Sequence, residues 1–299
     1  MNFEQDKIKD VIYLDDVKES MINGFQNGYE QGKTTGFVKI DNHFKWLKQN
    51  LIVFGGYGGH GKSTFLYQLL LRAAILRGEK SGIFSPENLP IDYFYNDLIH
   101  TFTGESTQKE HFNQMSLNKY KESMEFVKTH FFPIYPEHDS PTPEIINDRL
   151  KELIDKEGIS YCVTDPFNQL DHDWNTAGRD DKYLSSFLSK EKRFAQDNNI
   201  HKIIVAHCKG NAVFEDGILK EPNVFNLAGG AMWGNKCDDI VFIHRPYKYS
   251  DPTKKTTYFI SDKIKKQRIC GIPGTVTLEF DFKSNRFQEM QENNQDIPF

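Results

Sequence analysis

Gly56-Tyr57-Gly58-Gly59-His60-Gly61-Lys62-Ser63, followed by Thr64, is the stretch of this 299-residue chain whose residue types and spacing point most directly to chemistry. It fits G-x-x-x-x-G-K-[ST], in which glycines let backbone N–H groups turn inward around phosphate oxygens. A helix starting at the end of such a loop adds positive potential. Gly56, Gly58, Gly59, His60 and Gly61 would build the cradle, with Thr64 completing the segment. Lys62 would neutralise the β and γ phosphates of a nucleoside triphosphate, and Ser63 would ligate Mg2+. A chance glycine-rich turn would lack the flanks found here. Leu51-Ile52-Val53-Phe54 precedes the loop as a short apolar run that suits a buried strand, and apolar residues at helical spacing follow it (Phe65, Leu66, Leu69, Leu70, Ala73, Ala74, Leu76).

Further groups could complete a hydrolytic site. Asp165 ends the apolar run Tyr161-Cys162-Val163-Thr164, where a carboxylate can hold Mg2+ through water; alone, it would read as a loop-capping Asp. Glu87 follows Ser81-Gly82-Ile83-Phe84-Ser85, on the rim that a parallel sheet would share with the phosphate loop, and could polarise an attacking water. His207 ends the run Lys202 to Ala206 and could touch the γ-phosphate and report its loss to the next loop. Lys265-Lys266-Gln267-Arg268 is either a solvated basic turn or a source of cations for a neighbouring subunit's triphosphate. Lys209, Gly210 and Asn211 supply a charge and a flexible backbone. Ala228, Gly229 and Gly230, after Asn226, leave backbone N–H groups accessible, which suits phosphate contacts without base readout. Trp233 could stack on a base, but an aromatic beside a strand reads first as core.

The elements that must position these residues alternate. Strand-like runs lie at residues 51–54, 81–85, 161–164, 202–206 and 240–244, with helical patterns at 63–77, 90–130, 143–155 and 182–198 between them. This predicts an α/β fold with a mostly parallel central sheet and helices on both faces. Residues 256–261 and 275–280 alternate as antiparallel edge strands do. Residues 17–29 predict a short helix in a polar lead segment, and the polar tail after Phe287 is expected to be disordered. The resulting division is 1–35 as an interface segment, 36–287 as the catalytic domain and 288–299 as the tail. A net charge of −5 excludes a protein basic all over but permits a local basic channel. No apolar run reaches the roughly 18 residues of a membrane span, and the start has no signal-peptide h-region. The four cysteines stand far apart, against a zinc site or disulfide framework and for a reducing cytoplasm.

Together these residues resemble the helicase domain of DnaB-type replicative helicases, in particular the phage and bacterial members related to Toprim primase-helicases and Twinkle. The similarity is carried, in order, by residues 56–64, Phe84-Ser85-Pro86-Glu87-Asn88-Leu89-Pro90, residues 164–172 (TDPFNQLDH), Val205-Ala206-His207, residues 227–239 (LAGGAMWGNKCDD) and Lys266-Gln267-Arg268, and covers residues 34–287. It implies a RecA-like P-loop fold, a homo-oligomeric and expectedly hexameric ring around single-stranded DNA, and hydrolysis of ATP or dTTP with Mg2+ at subunit interfaces. By position, Lys62, Ser63 and Asp165 bind nucleotide and metal, Glu87 is the catalytic carboxylate and His207 the phosphate sensor. Lys266 and Arg268 act in trans, Arg268 as arginine finger. The loops at Lys209–Asn211 and Asn226–Gly230 face the pore, and the lead segment resembles the linker helix that packs on an adjacent subunit.

Bacterial DnaB proteins usually carry Gln where His207 stands and phage-type members His, so the resemblance leans to the phage branch and a bacterial or phage-infected cytoplasm. No Toprim, zinc-binding primase or helical collar segment is visible, so the chain is either a free-standing helicase or a fragment, the first being the expectation. Primase, polymerase or another replisome protein would be a partner, and the terminal Asp296-Ile297-Pro298-Phe299 resembles a partner-binding tail. A recombination ATPase forming open filaments and a nucleotide-gated adaptor or loader with little turnover are the competing readings.

Overall fold

β1 (Leu51–Gly56) is buried along its whole length, because it lies in the middle of a sheet with helices on both faces. The computed structural model describes residues 8–136, 141–172, 180–209, 214–215 and 217–290. After the lead helix α1 (Leu14–Asn27) and β1 come α2 (Lys62–Arg77), β2 (Ser81–Phe84), α3 (Ile91–Thr103), α4 (Leu117–His130), β3 (Phe131–Ile134), α5 (Pro143–Glu157), β4 (Tyr161–Thr164), α6 (Asp180–Asn198) and β5 (His201–His207). A small hairpin, β6 (Phe214–Glu215) and β7 (Ile218–Leu219), precedes α7 (Gly230–Lys236), β8 (Asp239–His244), β9 (Thr256–Ile264), α8 (Gln267–Cys270), β10 (Gly274–Asp281) and β11 (Arg286–Glu289).

The main sheet has nine strands in the order β11-β10-β9-β8-β1-β5-β4-β2-β3. The strands from β8 to β3 in this order are parallel, and β9, β10 and β11 extend the sheet antiparallel. This is the α/β architecture expected from the sequence. Side chains alternate across each strand. Ile52 and Phe54 of β1 pack with α2, α3 and α4, through Phe65, Leu66, Phe94 and Val127. Leu51 and Val53 pack on the opposite face with α5, α6 and α7, through Leu150, Leu188 and Trp233. Trp233 is 1% exposed, its indole N–H donates to Ala228 O at 2.8 Å, and it is a core residue.

Three local outcomes differ from the sequence expectation. The helical stretch 90–130 is two helices. Gly104, at φ +72°, takes the left-handed position that ends α3, and the Ser116 side chain caps α4 by accepting from Lys119 N. The lead helix starts earlier than expected and buries only Gly24, leaving Leu14, Met21, Ile22 and Phe25 exposed, Phe25 at 89%. The body takes hold of the chain at Gly32, whose N–H donates to Ile269 O at 3.0 Å. Finally, the structured chain runs past residue 287. β11 continues to Glu289, whose Oε1 accepts the backbone N–H of Lys39 at 2.7 Å and of Ile40 at 3.1 Å. Residues 291–299, including the terminal Asp296–Phe299, lie outside the described residues. No described helix is long and apolar enough to cross a membrane.

β11 is an edge strand whose outward peptide groups would otherwise lack partners. Gln68, from α2, supplies both: its Nε2 donates to Phe287 O at 2.9 Å and its Oε1 accepts Phe287 N–H at 2.7 Å. Phe287 itself packs edge-on against Phe65, ring centroids 5.3 Å apart. The clamp fastens the sheet edge to the helix that begins at the phosphate loop. Gln68→Ala leaves two buried peptide groups orphaned and is expected to lower unfolding free energy by about 1–3 kcal/mol in urea titration. An unchanged midpoint would show the clamp to be idle.

Candidate active site at the sheet rim

Parallel strands deliver their C-terminal ends to one rim, and the register shows which residues meet there. Gly56 lies beside His207 on the β1–β5 pair. Thr164, just before Asp165, lies beside Phe84, three residues before Glu87. The sheet therefore gathers the phosphate loop, Glu87, Asp165 and His207 on one side, as the sequence spacing anticipated.

The loop is built where only glycine fits. Gly56 sits at φ +151°, and a Cβ there would lie 2.6 Å from Ile243 O. Gly61 sits at φ +88°, immediately before α2, and Gly59 at φ +68°. Lys62 is 5% exposed and its ammonium donates to Tyr57 O at 3.1 Å across the loop. Burial pushes its pKa below the usual lysine range, and the nearby Asp165 carboxylate pulls it back. Lys248, on the loop after β8, donates to Gly58 O at 2.7 Å from outside the motif.

Asp165 is 3% exposed. Burial raises its pKa, opposed by hydrogen bonds from Tyr67 and Ser63 and by the charge of Lys62. Tyr67 Oη lies 2.6 Å from Asp165 Oδ2. Ser63 and Asp165 thus present a hydroxyl and a carboxylate side by side, an all-oxygen donor set that suits Mg2+ with water filling its remaining positions. Glu87 is exposed at the rim and its Oε1 accepts from Gln169 Nε2 at 3.2 Å. Burial lowers the pKa of His207, and Lys62 lowers it further, so its imidazole is neutral near pH 7. His207 also lines an open cavity of about 670 Å³ together with Lys209, Ala228, Gly229 and Trp233.

The side chain of His60 is engaged within the fold. Its imidazole is fully buried, accepts the Arg245 N–H on Nδ1 at 2.9 Å and stacks on His244 with centroids 5.5 Å apart. The ring braces the loop against the end of β8, leaving the backbone as what His60 can offer a phosphate.

Lys266 and Arg268 are not on this rim. β9 runs antiparallel to β8, so Ile264 lies opposite Asp239, which lies beside Ile52 at the start of β1. Lys265 N–H donates to Asp238 O, and Asp238 N–H to Leu51 O. Five residues of strand, roughly 17 Å at about 3.3 Å per residue, separate that level from Gly56. Lys265 is paired with Asp238 at 3.0 Å, whereas Lys266 and Arg268 are exposed and carry no ion pair among the described residues.

The two loops expected at a pore are joined. Cys208 and Leu227 form a β-bridge, and Lys209 N–H donates to Asn226 O at 2.8 Å. Lys209, Ala228 and Gly229 are exposed. Asn226 uses its side chain to accept Asn223 N–H at 2.8 Å. Gly230 departs from the accessible donor expected there: it is buried, its N–H donates to Leu227 O, and a Cβ would lie 2.4 Å from Val224 O. Gly210 and Asn211 lie outside the described residues. Tyr67, Asn88, Gln169, Arg245 and Lys248 belong to the site and were not singled out from sequence. Tyr67 carried one signal, its position one turn after Ser63.

The profile of the DnaB-like helicase C terminal domain matches residues 32–289. The "Twinkle homolog protein, chloroplastic/mitochondrial" of Arabidopsis thaliana is 30% identical over 228 residues, 73% of this chain. The chain spans 31% of that relative's length. Among solved structures, an isolated ATPase domain matches with TM-score 0.79 at 16% identity, over 94% of this chain and 100% of that one. A DnaB-like replicative helicase, described with its interactions with primase, matches with TM-score 0.73 at 15% identity, over 94% of this chain and 68% of that one. At those identities the structural likeness establishes the RecA-like ATPase fold.

His60 also predicts a pH effect. Burial, then His244 and the surrounding cations, lower its pKa from 6.5 to about 3. Between those values the unfolded chain holds the extra proton, so stability falls as pH drops below about 6.5. His60→Asn keeps an acceptor for Arg245 N–H and removes the titration. Wild type is expected to lose about 2 kcal/mol more than this variant between pH 7 and pH 5 in urea unfolding, and equal losses would refute the assignment.

Proposed function

The chain belongs to the DnaB-like helicase C-terminal domain family, and from that premise we propose that it is a nucleoside-triphosphate-driven motor that encircles single-stranded DNA as a homo-oligomeric ring, expectedly a hexamer, and unwinds duplex during replication. Lys62 and the loop from Gly56 to Thr64 bind ATP or dTTP, Ser63 and Asp165 hold its Mg2+, and Glu87 activates the attacking water. His207 senses the γ-phosphate and communicates with Lys209, Ala228 and Gly229, whose backbone and charge track DNA phosphates. Mg2+ would supply charge neutralisation of the phosphates.

The observation that carries this reading is the separation of the cations. Lys62 is on the rim with both carboxylates, whereas Lys266 and Arg268 are exposed at the other end of the sheet. They cannot serve their own site, which makes sense if a neighbouring copy completes it. The exposed apolar side of α1, with Leu14, Met21, Ile22 and Phe25, supports the same assembly, as a strap across the adjacent protomer. Primase or polymerase contacts would lie on the outside of such a ring.

The test is turnover of the full chain with and without single-stranded DNA. Lys62→Ala should abolish it. Arg268→Ala should reduce it on the order of 10³-fold with nucleotide binding retained. Mixing the two inactive variants should restore part of the activity, because the Arg268 of one meets the intact loop of the other. Confirmed mixed oligomers that stay inactive would overturn the trans-acting assignment, and turnover indifferent to DNA would overturn the motor.

A further inference from the structure

Ser63 and Tyr67 are four residues apart on α2, which puts both hydroxyls on one face of the helix. Both reach the same buried carboxylate, Asp165. Tyr67 has one proton to give, and it goes to Asp165 Oδ2. The hydroxyl oxygen must then accept, and it does so from the Asn88 amide, whose Nδ2 lies 2.8 Å away, with the Ser85 hydroxyl also bonded to it. The network thereby settles which way the amide faces. Asn88 Nδ2 also donates to Ser85 Oγ at 2.8 Å, and Asn88 N–H donates to Ser85 O at 3.1 Å. Ser85 and Asn88 bracket Glu87. Gln169, four residues beyond Asp165, bonds Glu87 from the other side.

We propose that Tyr67 is a positioning residue whose single hydroxyl ties the carboxylate of Asp165 to the Ser85–Asn88 turn that carries Glu87, setting the metal-side group and the water-activating group against each other. The proposal rests on the hydrolytic reading above and deepens it. One oxygen bonded to Asp165 on one side and to Asn88 and Ser85 on the other couples a displacement of either carboxylate to the other. Asp165 is oriented by a group fixed on the helix that starts at the phosphate loop. Tyr67 is itself locked by packing, its ring edge-on to Phe94 with centroids 5.6 Å apart.

Tyr67→Phe keeps that ring and removes only the hydroxyl. On the full chain, binding of a fluorescent ATP analogue is titrated with Mg2+ and without it, alongside kcat and KM with single-stranded DNA present. Binding without Mg2+ should match wild type. The Mg2+ concentration for half-maximal effect should rise about 10-fold or more, the usual cost of losing an outer hydrogen bond to a metal ligand. The value of kcat should fall while KM at saturating Mg2+ stays. Asn88→Ala should lower kcat and leave the Mg2+ requirement unchanged, because the Tyr67–Asp165 bond survives. It also decides the case if Tyr67→Phe fails to fold. Loss of Mg2+-free binding in both variants, or wild-type behaviour in both, overturns the proposal. Lys62→Ala separates the two levels: if it still binds and hydrolyses nucleotide, the hydrolytic reading itself has failed, whereas an inactive Lys62→Ala beside a normal Tyr67→Phe rejects the positioning role alone.

Discussion

A carboxylate removed from water is tolerable only when every other group around it accommodates the charge, and Asp165 is such a carboxylate. Desolvating an ion of that size costs several kcal/mol after relaxation unless hydrogen bonds and an opposite charge compensate. Here Ser63 and Tyr67 donate and Lys62 supplies the charge. Lys62, itself buried, needs Asp165 for the same reason. Each of these three partners comes from the first turns of α2, so the position of that helix relative to the end of β4 is under strict constraint. The rest of the fold can be viewed as what holds that distance: β5 lies between β1 and β4, Phe65 and Leu66 bury the helix on the sheet, and Gln68 fastens its next turn to β11.

The same sheet is a strut between two unlike ends. One end concentrates groups that could bind and cleave a triphosphate. The other carries Lys266 and Arg268, held out by the Lys265–Asp238 pair and by the ladder of backbone bonds from Lys265 through Asp238 to Leu51. That second end is also where the lead segment enters: Gly32 bonds Ile269, adjacent to Arg268, so closely that a Cβ at residue 32 would lie 2.8 Å from its carbonyl oxygen. The parallel strands between the ends are buried on both faces and close-packed.

Much of this was legible in the residues. The apolar runs predicted β1, β2, β4, β5 and β8 because such strands are buried on both faces and need no alternation; β3, which carries Pro133, is not such a run. The positions of Asp165 and His207 at or just past the ends of apolar runs, and of Glu87 three residues after one, were legible, and the parallel register brings them to one rim. The site's supports were less visible. Tyr67 reads as one more apolar helix position, and Asn88 as a loop residue. Lys248 lies nearly two hundred residues from the Gly58 carbonyl it holds. His60 was read only as a member of the loop, and the bond from Arg245 N–H to its ring could not be read from the motif. The glycine at 230 signalled a free backbone, but a close approach to Val224 uses the missing Cβ equally well.

The sequence by itself determined most of the parallel strands, the glycine-rich loop between β1 and α2 and the chemical types present, since these follow from local periodicity and from glycine's backbone freedom. What only the tertiary structure decided was which groups share a carboxylate, which rings turn inward, and at which end of the sheet each cation stands. Those depend on register and on hydrogen-bond geometry between segments far apart in the chain, where a shift of a few ångströms changes the partner without changing the pattern of residues.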